Sequence, residues 1–222
     1  VIKVKNYPKV ASESLLLLDN TGNVYDTGSP TPLTPILTIS DPAFLDFGLA
    51  IYAGRAYISP STTVHGMAGE FVYVYLGDGT PARKAAGPGP VDADGLLAAA
   101  NSATVGNVEA GIHVFGVVYE TDTGYLTQIG PDTLPTVTAP GGFKVDLSAI
   151  PVSPNSYVTK RHIVASKLID PTLYTGNTRG YQLFFVPDGV INDNTSTTIT
   201  VNFYDVELLE DASHLLDLLT EI

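Results

Sequence analysis

The 222-residue sequence contains no cysteine and no tryptophan, and only 15% of its residues are charged, against about 25% in typical globular proteins. The absence of cysteine excludes a disulfide framework, a thiolate nucleophile and a cysteine-based metal site. No apolar run approaches the roughly 20 residues that span a bilayer, which excludes an integral helical membrane protein. With 44% apolar residues, the chain can nevertheless bury a core.

The negative charge of the chain is unevenly placed. The chain has 23 acidic and 11 basic residues, a formal net charge of −12, which argues against a broad nucleic-acid surface because such a surface needs a basic face. After Arg179 there are eight acidic residues and no Lys or Arg, so residues 180–222 carry −8 of the −12. The acidic character therefore belongs to the C-terminal end.

Both ends of the sequence suggest a processed chain or a segment of a longer protein. The chain begins at Val1 and shows no signal-peptide pattern. Residues 210–222 read EDASHLLDLLTEI and predict an amphipathic helix, because one helical face collects the apolar residues. That face holds Ala212, Leu215, Leu218, Leu219 and Ile222. It could pack against its own domain, or against a neighbouring chain or an absent part of the protein.

Short strands and turns dominate the rest of the sequence and predict an all-β protein. The Gly87-Pro88-Gly89-Pro90 run marks a boundary, because Gly and Pro cannot continue a strand ladder there. We therefore expect a small β domain over 1–86, a Gly/Pro/Ala-rich linker over 87–107 and a C-terminal acidic amphipathic helix over 208–222. Between them, residues 108–207 show seven strands in about 100 residues, which is typical of an immunoglobulin- or fibronectin-like β-sandwich.

No residue constellation in the sequence indicates catalysis or metal binding. The four histidines lack metal-ligand spacing, and the Gly-x-Ser-x-Gly elbow and the P-loop are absent. Two of the histidines, His113 and His162, lie on predicted strands and could meet in space. Clustered acids such as Asp92 and Asp94 could bind calcium or cleave glycosides, and Asp193 in the Asn192-Asp193-Asn194 run could bind calcium. Turn and capping chemistry explains these acids as well. We therefore expect no catalytic, cofactor-binding or metal-binding residues and no cofactor.

The basic residues of the sequence form three small patches rather than a stripe. One of these patches is Lys160-Arg161, and the others are Lys3-Lys5-Lys9 and Arg83-Lys84. Such patches could pair with the acidic C-terminal end of a neighbouring subunit. Lys160, Arg161 and the five apolar residues of the predicted helix are therefore the candidate interface residues.

Several segments resemble a known family. They are GIHVFGVVYETDTGYLTQIGP from residue 111, FKVDL at 143–147 with Ile150-Pro151, and VTKRHIV at 158–164. These segments resemble the fibronectin-like modules of tailed-bacteriophage virion proteins. AGRAYIS at 53–59 and VYVYLGDGT at 72–80 look like the region that precedes such modules in phage tail or neck proteins, where it resembles propeller blades. The resemblance covers roughly residues 50–210.

This resemblance implies a structural component of the phage particle. It would be a non-enzymatic virion protein of the tail, neck or adaptor ring that contacts other virion proteins and forms a homo-oligomeric ring or sleeve. The expected location is the virion, with no membrane and no direct nucleic-acid contact. The alternatives are a receptor- or carbohydrate-binding module at a tail tip and a bacterial surface adhesin domain; an enzyme fits the sequence least well.

Overall fold

The computed structural model describes residues 3–8, 13–39, 46–61, 72–85, 89–90 and 95–216. Over these residues the chain is all-β, as predicted, with four antiparallel sheets, and its helical parts are 3₁₀ turns of three residues. Contacts divide the chain into two compact units, Val1–Ala86 and Gly87–Ile222.

The first unit holds two sheets of four strands, each ordered as the strands follow along the chain. The first sheet contains β1 (Lys3–Pro8), β2 (Glu13–Leu18), β3 (Asn23–Asp26) and β4 (Leu37–Thr38). The second contains β5 (Asp46–Tyr52), β6 (Arg55–Ser61), β7 (Tyr73–Tyr75) and β8 (Arg83–Lys84).

One core joins the apolar faces of both sheets in this unit. Strand alternation sends Leu16 and Leu18 of β2 into it, while Leu15 remains 42% exposed. The same interior buries the carboxylate of Asp26, which accepts hydrogen bonds from the hydroxyls of Ser14 and Tyr75, the latter at 2.6 Å. A buried carboxylate needs such donors, because burying it without them is costly.

The β5–β6 hairpin turns through two residues of positive φ, Ala53 (50°) and Gly54 (77°). Two consecutive positive φ angles are typical of a type I′ turn, in which Asn-Gly is favoured and an alanine is strained. Substitution Ala53→Asn should therefore raise the free energy of unfolding by about 0.5–1 kcal/mol. Urea unfolding followed by circular dichroism checks this. Ala50→Asn, on the β5 strand, is the control and should destabilise instead; equal effects at both sites would contradict the turn assignment.

The second unit also holds two sheets, of four and three strands. The four-stranded sheet has the order β11-β10-β13-β14 and the three-stranded sheet the order β15-β12-β9. Their bounds are β9 Leu97–Val108, β10 Gly111–Thr121, β11 Thr136–Ala139, β12 Phe143–Ser148, β13 Val158–Ala165, β14 Phe184–Ile191 and β15 Ile199–Val201.

The four-stranded sheet is buried on both faces. One face contributes Phe115, Val117 and Ile163 to the core that it shares with the three-stranded sheet. The other face contributes Val114 and Val118 to a second cluster, which loops and the C-terminal segment cover. Strand β10 is therefore buried along nearly its whole length, which explains its almost continuous apolar sequence.

The predicted linker over 87–107 is wrong for residues 97–107, since these belong to β9, which runs from Leu97 to Val108. Its inward side chains at 98 and 100 are alanines that pack against the core. Their small size hid the strand alternation in the sequence. The β-sheet region of the second unit thus begins upstream of residue 108.

The predicted C-terminal helix over 208–222 is wrong for residues 208–216, where the only helical element is the 3₁₀ turn Ser213–Leu215. Backbone pairing holds the start of this segment extended. The N–H of Phe185 donates to the carbonyl of Glu210, and the N–H of Ala212 donates to the carbonyl of Leu183. Residues 210–212 thus lie beside β14. Residues 217–222, with the candidates Leu218, Leu219 and Ile222, lie outside the described residues.

Candidate interaction surface

Arg161, a predicted interface residue, is fully buried inside the second unit. Its guanidinium donates to the carbonyl of Pro151 at 2.9 Å and to the carbonyl and carboxylate of Asp193 at 3.1 and 3.0 Å. This corrects the expectation that Arg161 pairs with a neighbouring subunit, because its charge is neutralised within its own unit. The side chain instead ties two loops to β13.

Ala212 and Leu215, two further interface candidates, are buried in the cluster that covers the outer face of the four-stranded sheet. The sequence left open whether the apolar face of residues 210–222 packs against its own domain or against another chain. Ala212 and Leu215 pack against their own unit. This corrects their assignment as interface residues, since buried side chains offer no surface to a neighbour.

Lys160 is the predicted interface residue that remains partly exposed. It lies directly opposite Glu120 across the β10–β13 pair, and its ammonium contacts that carboxylate at 2.9 Å. The imidazole of His162, two residues along the same strand, contacts the other Glu120 oxygen at 2.5 Å. Burial opposes ionisation of Glu120, but the hydrogen bonds from Lys160 and His162 outweigh it and lower the pKa of Glu120.

The two strand histidines do not meet. His162 packs edge-on against Phe185 at 5.7 Å on the outer side of the four-stranded sheet. His113 is fully buried and packs against Phe203 at 5.9 Å on the inner side. Both His113 ring nitrogens lie near backbone carbonyls, those of Ser166 at 3.2 Å and Glu109 at 3.0 Å, which indicates a structural role.

A groove of about 520 Å³ lies beside the Glu120–His162 contact. Its lining is mostly apolar, with carboxylates on its rim. The lining residues are Glu120, Gly124, Leu126, His162, Phe185, Val186, Pro187, Val190, Glu207, Leu209 and Glu210. Sequence reasoning missed this groove because it joins four distant parts of the chain, residues 120–126, 162, 185–190 and 207–210. Only the i, i+2 spacing of Lys160 and His162 on one strand hinted that they share a face.

The segment Tyr204–Glu210, which borders the groove, exposes large apolar side chains. Tyr204 is 47% exposed, Val206 73% and Leu209 79%. Glu207 caps the local 3₁₀ turn through its carboxylate, which accepts the Tyr204 N–H at 2.7 Å, and Leu208 alone is buried in the core. Three exposed apolar residues within six positions form a surface of the kind that partners cover.

No group of three His, Cys, Asp or Glu residues that could hold a metal ion occurs among the described residues. Asp193, one of the acids considered as a calcium ligand, accepts hydrogen bonds from Ser196 and Thr195, which lower the pKa of its carboxyl. Asp92 and Asp94 lie outside the described residues. In the part of the chain that the structure covers, no helix is long and apolar enough to cross a membrane.

Comparison of the chain with protein-family models, with curated proteins and with solved structures gave no match.

Replacing Arg161 with methionine should destabilise the chain by about 3 kcal/mol, because the substitution leaves the backbone carbonyls of Pro151 and Asp193 without their guanidinium donor. The adjacent Lys160→Met removes a partly exposed partner and should cost less than about 1 kcal/mol. Urea unfolding of both variants gives the comparison. Similar losses at 160 and 161 would contradict the structural role of Arg161.

The depressed pKa of Glu120 predicts a pH-dependent contribution to stability. The stabilisation by ionised Glu120 is complete above the pKa of an unfolded glutamate, about 4.3. It is lost as the pH falls through the lower pKa of Glu120 in the folded chain. Glu120→Gln should therefore be less stable than the native chain by roughly 1 kcal/mol at pH 7, and the difference should vanish in acid. Unfolding free energies between pH 7 and 2.5 test this. Glu109→Gln, at a carboxylate outside the ion pairs of the described residues, is the control.

Proposed function

We propose that the chain is a non-enzymatic structural component of a tailed-phage virion, in the tail, neck or adaptor ring, that acts through contacts between subunits. The resemblance of residues 50–210 to phage modules supports this role. The second unit has the strand count of an immunoglobulin-type sandwich, seven antiparallel strands in sheets of four and three. Its strand orders, β11-β10-β13-β14 and β15-β12-β9, differ from the immunoglobulin order. The two consecutive four-stranded meanders of the first unit fit blade-like hairpins.

The observation that carries the proposal is the exposed apolar surface of Tyr204, Val206 and Leu209. Residues 210–212, which follow them, are held beside β14 by backbone pairing. Residues 204–209 therefore cannot turn all their apolar side chains inward. A neighbouring subunit would cover this surface and fill the adjoining groove. Val206 and Leu209 are uncharged, as residues at the centre of subunit interfaces usually are, and the exposed Glu207 and Glu210 lie next to them.

The second candidate function is a receptor- or carbohydrate-binding module. The groove supports it, because Phe185 lines its wall and Tyr204 stands exposed on the neighbouring segment. Aromatic side chains beside a few polar groups are typical of small-ligand sites.

The double substitution Val206→Asp/Leu209→Asp tests the proposed contact surface. The purified native chain should form rings or sleeves in negative-stain images, and the variant should need a roughly tenfold or higher concentration to assemble, since buried interface carboxylates are costly. Val152→Asp/Leu173→Asp, at exposed apolar positions outside this segment, adds the same charge and should assemble normally.

Unchanged assembly of the Val206/Leu209 variant would reject this surface as the contact. A native chain that stays monomeric at all concentrations but binds host polysaccharide would favour the receptor-binding function instead.

A further inference from the structure

Strand β9 is the longest strand of the described chain, with 12 residues, and it lies at the edge of its sheet. Over Leu97–Asn101 it pairs regularly with β12 on one side, and no strand of the described residues is hydrogen-bonded to its other side. Beyond Asn101 the register shifts, and residues 102–104 leave the ladder before Val105 pairs with Phe143. The regular free edge therefore spans five residues.

Sheet edges in natural proteins are protected by charge, proline, bulges or short length, and the regular part of this edge, Leu97–Asn101, has no charge, proline or bulge. The remaining edge strands of the described sheets have such protection. Strand β1 carries Lys3, Lys5 and Pro8, β5 begins at Asp46, and β14 contains Pro187 and Asp188. Strands β4, β8, β11 and β15 have four residues or fewer. In contrast, β9 reads LAAANSATVGNV, without a charged residue or a proline.

We propose that the β9 edge pairs with β9 of a second copy of the chain, antiparallel and across a two-fold axis near Ala99. This inference rests on the proposed function, since it specifies one contact through which subunits associate. In this register Ala98 of each copy lies opposite Ala100 of the other, and Leu97 lies opposite Asn101. Edge-to-edge addition supplies backbone hydrogen bonds, and alternate side chains determine how closely the strands fit.

A second copy is the occupant because the edge is self-complementary in this register, where alanine lies opposite alanine and no charge lies opposite a like charge. Like charges directly opposite each other are destabilising in a sheet, and a chain of net charge −12 repels its copies. The uncharged, alanine-rich edge avoids this repulsion. Pairing would also shield Leu97, which is 60% exposed in the single chain.

Ala99→Cys tests the two-fold axis directly, because the chain contains no other cysteine. Equivalent Cα atoms that face each other across an antiparallel pair lie about 4.5–5.5 Å apart, within the range that a disulfide bridges. We expect mild oxidation to link two copies through position 99 at least about tenfold faster than through Val152→Cys, the exposed control. Equal rates would overturn the pairing.

Hydrogen exchange of the native chain provides a second measurement, independent of any variant. Raising the concentration should protect those amides of 97–101 that do not already donate to β12. Protection confined to residues 204–210 would overturn the β9 pairing and leave the proposed function standing, whereas no association at any concentration would overturn both. If residues 97–101 become protected only after a different virion protein is added, the β9 edge binds a strand of that protein. This result would reject the two-fold pairing.

Discussion

The second unit depends on burying both faces of the central β10–β13 pair. Strand β10 carries large apolar side chains on both of its faces, so each face must be covered by other parts of the chain. The three-stranded sheet covers the inner face. Loops and residues 212–216 cover the outer face. The positions of the C-terminal residues follow from this second requirement.

The outer cover determines where the surface residues lie. The extended pairing of Glu210–Ala212 with the start of β14 brings Ala212 and Leu215 into the outer cluster. The preceding residues then cross the rim of the groove, with Leu208 buried and Leu209 exposed. A helix from residue 208, as the apolar spacing predicts, would break these backbone bonds. Tertiary pairing thus outweighs the local helix preference, which is weak for a segment this short.

Sequence reasoning succeeded where strands were short apolar runs or were dense in β-branched and aromatic residues. The all-β class follows from runs such as Leu15–Leu18 in β2 and Tyr73–Tyr75 of β7. It failed at β9, because alanines on the inner face give almost no hydrophobic contrast. It also failed at Arg161, since a basic residue next to Lys160 reads as exposed although β13 turns the two side chains to opposite faces.

The groove illustrates a different limit. Glu120 and His162 form a contact only because β10 and β13 are neighbours in a particular register. That register depends on which side chains are buried beneath the three-stranded sheet and the outer loops. No local sequence pattern predicts it. Leu209 joins the same groove from a segment positioned by its own pairing with β14. Non-local sites of this kind become visible only once the sheet order is known.

Acidic residues at the C-terminal end stabilise the local backbone of their own unit, in addition to giving the chain its negative charge. Four of these acidic side chains accept backbone N–H groups in turns and loops: Asp193 from Thr195, Asp205 from Leu168, Glu207 from Tyr204 and Asp211 from Ser213. Aspartate–threonine turns recur at Asp19, Asp78 and Asp170. Such turns use Asp because its short carboxylate reaches the N–H two residues on. Much of the negative charge therefore stabilises irregular backbone, and association between subunits would depend on uncharged surfaces, the apolar residues of 204–210 and the free edge of β9.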